Sequence, residues 1–153
     1  MKILKYALIV LFSAGMMSCG GGGGDDEPDV DTTKPTVTIA NPTANTVIDA
    51  GNNLTVNFTA SDNIGLSSYT VIITYTGAKS TKQVEEFSFD SRTGTDADGN
   101  ALPGISGTSK SISFNVATLS DNKVALDGMY KITISVTDSS DNVSSKEVTF
   151  EIQ

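Results

Sequence analysis

From residue 35 onward, apolar and polar residues alternate in steps of two. Leu54, Val56, Phe58 and Ala60 fall on one side, with Thr55, Asn57, Thr59 and Ser61 on the other. The pattern returns at Tyr69, Val71, Ile73 and Tyr75, at Ile112, Phe114 and Val116, at Tyr130, Ile132, Ile134 and Val136, and at Val148, Phe150 and Ile152. Successive side chains of a strand point to opposite faces, so this period predicts antiparallel strands with one face in a core and the other in water. Turn-forming clusters separate the runs: Asn41-Pro42, Asp49 to Asn53, Asp62 to Gly65, Asp98 to Asn100, Asp127-Gly128 and Asp138 to Asn142.

About seven strands result, over 35–40, 54–61, 67–76, 84–89, 109–117, 129–138 and 143–152. Seven short alternating strands in roughly 100 residues predict an all-β, immunoglobulin-like antiparallel sandwich, with a closed barrel as the alternative. Tyr130 opens the sixth strand, where a tyrosine can bury its ring and return its hydroxyl to upstream backbone. It also serves plainly as a core aromatic.

The first 34 residues follow a different rule. Met1 to Lys5 is short and basic, and Tyr6 to Ala14 is an apolar run too short to span a membrane as a helix. Ser18 precedes Cys19, the single cysteine, and Gly20 to Gly24 with Asp25 to Lys34 form a glycine-rich, acidic stretch. Such a stretch has little to bury and repels itself, so it predicts a flexible tether. Its 15 residues before Pro35 reach about 50 Å when extended. The expected organisation is a lipoprotein signal peptide over 1–18, cleaved between Ser18 and Cys19, a lipidated Cys19 with tether over 19–34, and the sandwich over 35–153.

Composition narrows the chemistry. The chain has no histidine, which removes His-based triads, His general bases and the usual zinc sites. No tryptophan is present to build a sugar-stacking platform. Acidic residues number 18 against 10 basic ones; loss of Lys2 and Lys5 with the signal peptide leaves 8 − 18 = −10. A field of that sign disfavours nucleic acid as a partner. Ser109-Lys110 are neighbours on opposite strand faces, so they make no nucleophile–base pair.

Met16-Met17-Ser18-Cys19 resembles the lipobox read by lipoprotein signal peptidase, with Met16 and Met17 departing from its usual residues. The resemblance implies acyl chains on Cys19 and attachment to a membrane. Asp31 to Ile39, Ala60 to Leu66 and Gly128 to Asn142 look like bacterial Ig-like domains. With the lipobox, the chain resembles small Ig-like lipoproteins of the Bacteroidota, which implies an outer-membrane anchor on the periplasmic or surface face. An acidic cluster near the lipidated cysteine accompanies surface transport in that group, and Asp31-Thr32-Thr33 is similar to its O-glycosylation signal. Better-known members carry histidines where this chain has Thr76 to Ser80, so a metal role for those histidines does not transfer.

Two stretches hold candidate chemistry. In a sandwich of this kind the second-to-third and sixth-to-seventh strand loops share one end with the first strand's entry. That would gather Asp62, Asn63, Asp138, Asp141 and Asn142, with Asp31, at the tether pole. The plain reading is turn capping by these side chains, with no cofactor; the alternative is a hard cation such as Ca²⁺. Asp96-Ala97-Asp98-Gly99-Asn100 is similar to the start of an EF-hand loop, but Ala101 and Gly107 stand where that loop needs glycine and glutamate. The stretch from Asp90 to Gly107 is therefore read as a long polar turn and a candidate contact surface. The functional expectation is a non-catalytic binding, adhesion or spacer module at the cell envelope, contacting a protein or glycan. A Ca-stabilised adhesive domain and a carbohydrate-binding accessory lipoprotein are the alternatives.

Overall fold

The computed structural model describes residues 30–77, 86–120 and 123–153. The signal peptide, Cys19 and the tether up to residue 29 lie outside these, as do residues 78–85. Ten strands follow in order: β1 Thr36–Asn41, β2 Val47–Ile48, β3 Asn53–Ser61, β4 Leu66–Tyr75, β5 Glu86–Asp90, β6 Ser109–Ala117, β7 Leu119–Ser120, β8 Lys123–Val124, β9 Gly128–Asp138 and β10 Val143–Ile152. One sheet has the order β1-β3-β6 and the other β2-β10-β9-β4-β5, while β7 and β8 pair as a small hairpin. The two main sheets stack face to face as a β-sandwich.

The seven strands expected from periodicity form, the fourth of them as β5 over Glu86–Asp90, with residues 84–85 of its expected span outside the described residues. The three further strands are two residues long each, too short to show a period. β2 pairs in parallel with β10 at the sheet edge, and the other pairings are antiparallel. Between β1 and β2 the chain crosses from one sheet to the other at Asn41-Pro42. Pro42 has no N–H to offer the ladder, and the Asn41 side-chain amide donates to the Thr55 carbonyl.

The predicted apolar faces meet between the sheets. Leu54, Val56, Phe58 and Ala60 of β3 are buried, as are Tyr69, Val71 and Ile73 of β4 and Tyr130, Ile132, Ile134 and Val136 of β9. Phe58 stands edge-on to Tyr69 across the sandwich at 5.1 Å between ring centroids. Tyr130 is 5.3 Å from Tyr75 and 6.0 Å from Phe150, making an aromatic file along the second sheet. Gly128, expected in a turn, is instead the first residue of β9. Its φ of 136° suits glycine alone, and a Cβ there would lie 2.9 Å from the Tyr75 ring.

The stretch between β5 and β6 differs from its expected character. Leu102 and Ile105 are buried in the core, a bridge joins Thr95 to Ala101, and the Ala97 amide donates to the Asn115 carbonyl. The polar turn is confined to Asp96–Asn100, where the Asp96 carboxylate accepts the Asp98 and Asn100 amides. The rest seals one side of the sandwich, because a three-stranded sheet leaves apolar area of its five-stranded partner to be covered. Deleting Gly104 to Gly107 would remove the core residue Ile105, so partner contact is better probed at exposed positions.

Tyr69 links that stretch to the core: its hydroxyl donates to the Pro103 carbonyl at 2.9 Å. Burial pushes its pKa from 10.0 up to about 12. The folded state therefore keeps the phenolic proton over a range where the unfolded chain loses it, and stability falls as pH rises from 10 towards 12. Alkaline denaturation followed by circular dichroism should show this slope, and Tyr69→Phe should flatten it. At neutral pH the same variant costs about 1 kcal/mol for the lost hydrogen bond. Equal slopes in the two proteins would remove Tyr69 from the explanation.

Candidate functional site

Three separate segments converge at the pole where the described chain begins. The first is the β3–β4 turn. Its Asp62 closes a tight turn on itself, with Oδ2 accepting the Ile64 amide at 2.8 Å and the Gly65 amide at 2.9 Å. Asp and Asn favour such turns because the short side chain reaches backbone amides two or three residues on.

The second is the β9–β10 turn. Asp138 Oδ1 accepts the Ser140 and Asn142 amides, each at 2.8 Å, and Oδ2 accepts the Asn142 side-chain amide at 2.8 Å. Asp141 sits at φ 66°, the left-handed position of the turn. The Ser139 amide donates to the Gly65 carbonyl at 2.8 Å, tying the two turns together. Asp138 is wholly buried. Burial alone would raise its pKa, yet the Asn142 side chain and the Asn142 and Ser140 amides outweigh it, and the carboxyl is held below its ordinary value.

The third segment is the chain leading into β1. Asp31 Oδ1 accepts the Thr33 amide at 3.0 Å and the Asn63 side-chain amide at 3.1 Å. The Asp31 carbonyl accepts the Asn142 side-chain amide at 2.9 Å. Asn142 thus bridges the incoming chain and Asp138 with one nitrogen. Of the stretch assigned to the tether, residues 30–34 are described, and Asp31 is bonded to both turns.

One carboxylate oxygen each from Asp31, Asp62 and Asp138 lies within 4.8 Å of the other two. Asp31 Oδ2 and Asp62 Oδ1 are buried and accept no hydrogen bond from the described residues. Among the six residues expected at this pole, the structure brings together Asp31, Asp62 and Asp138 as carboxylates, and Asn63 and Asn142 as donors that hold them. Asp141 is exposed and lies outside the cluster, because its left-handed backbone makes the turn rather than facing the pole. The sequence names Asp31 only as an addition to the pole, since it lies outside every strand; its place at the centre is visible only in three dimensions. The Asp96 turn has no such grouping: its carboxylate is occupied by the amides of its own loop, with Asn100 the chief cause of its lowered pKa.

The sheet orders and the buried interface define an immunoglobulin-like or fibronectin-III-like β-sandwich. The chain belongs to the family described as Domain of unknown function (DUF4625), which it matches over residues 21–153. No curated protein matches it. Among solved structures it is similar to the fibronectin(III)-like modules of CbhA from Clostridium thermocellum, at 19% identity and TM-score 0.47, covering 78% of this chain and 47% of that one. A β-glucosidase from Listeria innocua in complex with glucose matches at 15% identity and TM-score 0.42, with 78% of this chain covering 16% of the enzyme. The CARDB domain of a Pyrococcus furiosus protein, in complex with di-metal ions, matches at 15% identity and TM-score 0.33, covering 84% of this chain and 99% of that one. The chain thus spans about half of the first of these structures and a small part of the second.

Proposed function

We propose that this chain is a non-catalytic sandwich held at the bacterial cell envelope by acyl chains on Cys19, presenting its far pole to a protein or glycan. The observation that carries the reading is the placement of the lone cysteine directly after a basic and apolar leader, followed by five glycines and an acidic run before the first strand. Two or three acyl chains suffice for stable anchoring. The absence of histidine from the whole sequence leaves the commonest acid–base chemistry without its side chain.

The polarity of the fold supports the same reading. The described chain enters beside Asp62 and Asp138, at the ends of β3 and β9. Exposed Val47, Leu119, Val124 and Met129 belong to the other end, near the start of β9 and the end of β6. A module tethered at one pole would turn this group outward, while exposed Val30, Ile64 and Val143 stay at the tethered pole.

Expression of the full chain in a bacterium that processes lipoproteins tests the anchor. Wild-type protein should partition into the detergent phase and carry label from radioactive palmitate, whereas Cys19→Ser should move to the aqueous phase without label. A Cys19→Ser protein that still fractionates with membranes at the wild-type mass would end the reading.

A further inference from the structure

We propose that the pole formed by Asp31, Asp62 and Asp138 binds one Ca²⁺ ion, and that the ion fastens the end of the tether to the sandwich. The acidic grouping alone would not carry this. What carries it is that two of its oxygens, Asp31 Oδ2 and Asp62 Oδ1, are buried with no hydrogen-bond donor among the described residues. A buried carboxylate oxygen without donor or counter-charge is costly, and here two occur within one cluster of three carboxylates.

The neighbouring donors are already engaged elsewhere. Asn63 serves Asp31 Oδ1, Asn142 serves Asp138 Oδ2 and the Asp31 carbonyl, and the Ile64 and Gly65 amides serve Asp62 Oδ2. The ion pairs among the described residues, Arg92–Asp90 and Lys131–Glu147, involve none of the three carboxylates. Hydrogen bonding therefore holds Asp31 and Asp62 through one oxygen each and leaves the other bare, while both Asp138 oxygens are already hydrogen-bonded and would offer the ion a remaining lone pair. That is the arrangement in which outer contacts position the ligands of a metal.

The spacing admits Ca²⁺, and the ligand type favours it. Ca²⁺ binds oxygen at about 2.4 Å, so two of its ligands can be at most about 4.8 Å apart. The three oxygens fall within that limit. Ca²⁺ accepts six to eight oxygens in irregular geometry, and three carboxylates on separate segments suit it. Mg²⁺ demands a near-ideal octahedron at about 2.1 Å and keeps its own water. Three carboxylates more than neutralise one Ca²⁺ but supply only part of its six to eight oxygens, which suits the weaker calcium sites of extracellular modules, with Kd of about 0.1–1 mM.

Asp31 is the functional link. It precedes β1 and belongs to no strand, so an ion shared with Asp62 and Asp138 would pin the incoming chain to both turns. Calcium would then shorten the free tether and fix the direction in which the sandwich leaves it. The inference stands whether or not Cys19 is acylated.

Thermal melting of the chelator-treated full chain against CaCl₂ tests it, with MgCl₂ at matched ionic strength beside it. Wild-type protein should gain about 5–10 °C at 10 mM Ca²⁺ and much less with Mg²⁺, with one ion per chain by calorimetry. Asp31→Asn and Asp62→Asn should lose that gain. Without Ca²⁺ both should melt at or above the wild-type temperature, since each removes one of three crowded charges and keeps the oxygen that caps its turn. Amide hydrogen exchange over residues 30–34, followed by mass spectrometry, should slow with Ca²⁺ in wild type only. A flat wild-type titration overturns the proposal, as does a gain retained by both variants; an equal gain from Mg²⁺ overturns the choice of ion. Asp31 lies outside the sheets, so its variant remains informative even where Asp62→Asn folds poorly.

Discussion

Phe58→Ala lowers the stability of the sandwich by about 3–5 kcal/mol, which corresponds to a fall in Tm of about 10–20 °C for a domain of this size. Phe58 is fully buried in β3. It is the residue of the three-stranded sheet whose ring meets Tyr69 edge-on across the interface, at an interplanar angle of 72°. Truncation removes transfer energy and leaves a cavity that the rigid strands on either side cannot close, because their ladders fix the backbone. The aromatic pair adds its own contribution beyond area. Phe58→Leu, which keeps most of the volume, should cost about 1.5 kcal/mol or less. Urea denaturation of the three proteins checks the order, and a Phe58→Ala midpoint within error of wild type would contradict the packing described here.

Leu102→Asp should leave little folded protein, and Leu102→Ala should cost about 2–4 kcal/mol. Leu102 is buried in the core cluster although it lies in the irregular stretch between β5 and β6. Its amide donates to the Gly94 carbonyl, and its side chain packs so near Gly94 that a Cβ there would be 2.9 Å away. A carboxylate at this position would be taken out of water with no partner. Asp98→Ser, on the exposed turn of the same stretch, provides the contrast and should change stability by no more than about 0.5 kcal/mol. If Leu102→Asp behaved like Asp98→Ser, the stretch would be a solvated loop after all, and the contact-surface reading would regain it whole.

These two positions mark where sequence pattern succeeds and where it stops. Phe58 belongs to an alternating run, and alternation is a local property: each residue's face follows from its neighbours' extended backbone. The strands from β3 to β10 that are longer than two residues could therefore be placed to within about two residues, and their inward faces named. Leu102 and Ile105 carry the same apolar chemistry but stand three apart among glycine, proline and polar residues, with no period to mark them. Their burial comes from the unequal width of the two sheets, which exists only after the strands have paired.

The candidate site divides in the same way. That Asp62, Asn63, Asp138 and Asn142 share a pole was legible once the strand count implied a sandwich, because they end consecutive pairs of strands that run in known directions. Which oxygens face one another was not. Asp138 and Asp141 are alike in sequence, yet one is buried with three donors and the other takes the left-handed position of the turn. Asp31 reads as one more acid in a charged linker until its two bonds to Asn63 and Asn142 are seen.

The sequence by itself determined the class of fold, the inward face of each long strand, and the acidic, histidine-free surface that limits chemistry, since all of these follow from residue type and spacing. Only the tertiary structure decided which carboxylates meet, which of their oxygens lack donors, and which irregular segment closes the core. Those outcomes depend on contacts between residues as far apart as Asp31 and Asn142, and no local rule fixes the distance between positions that the chain brings together last.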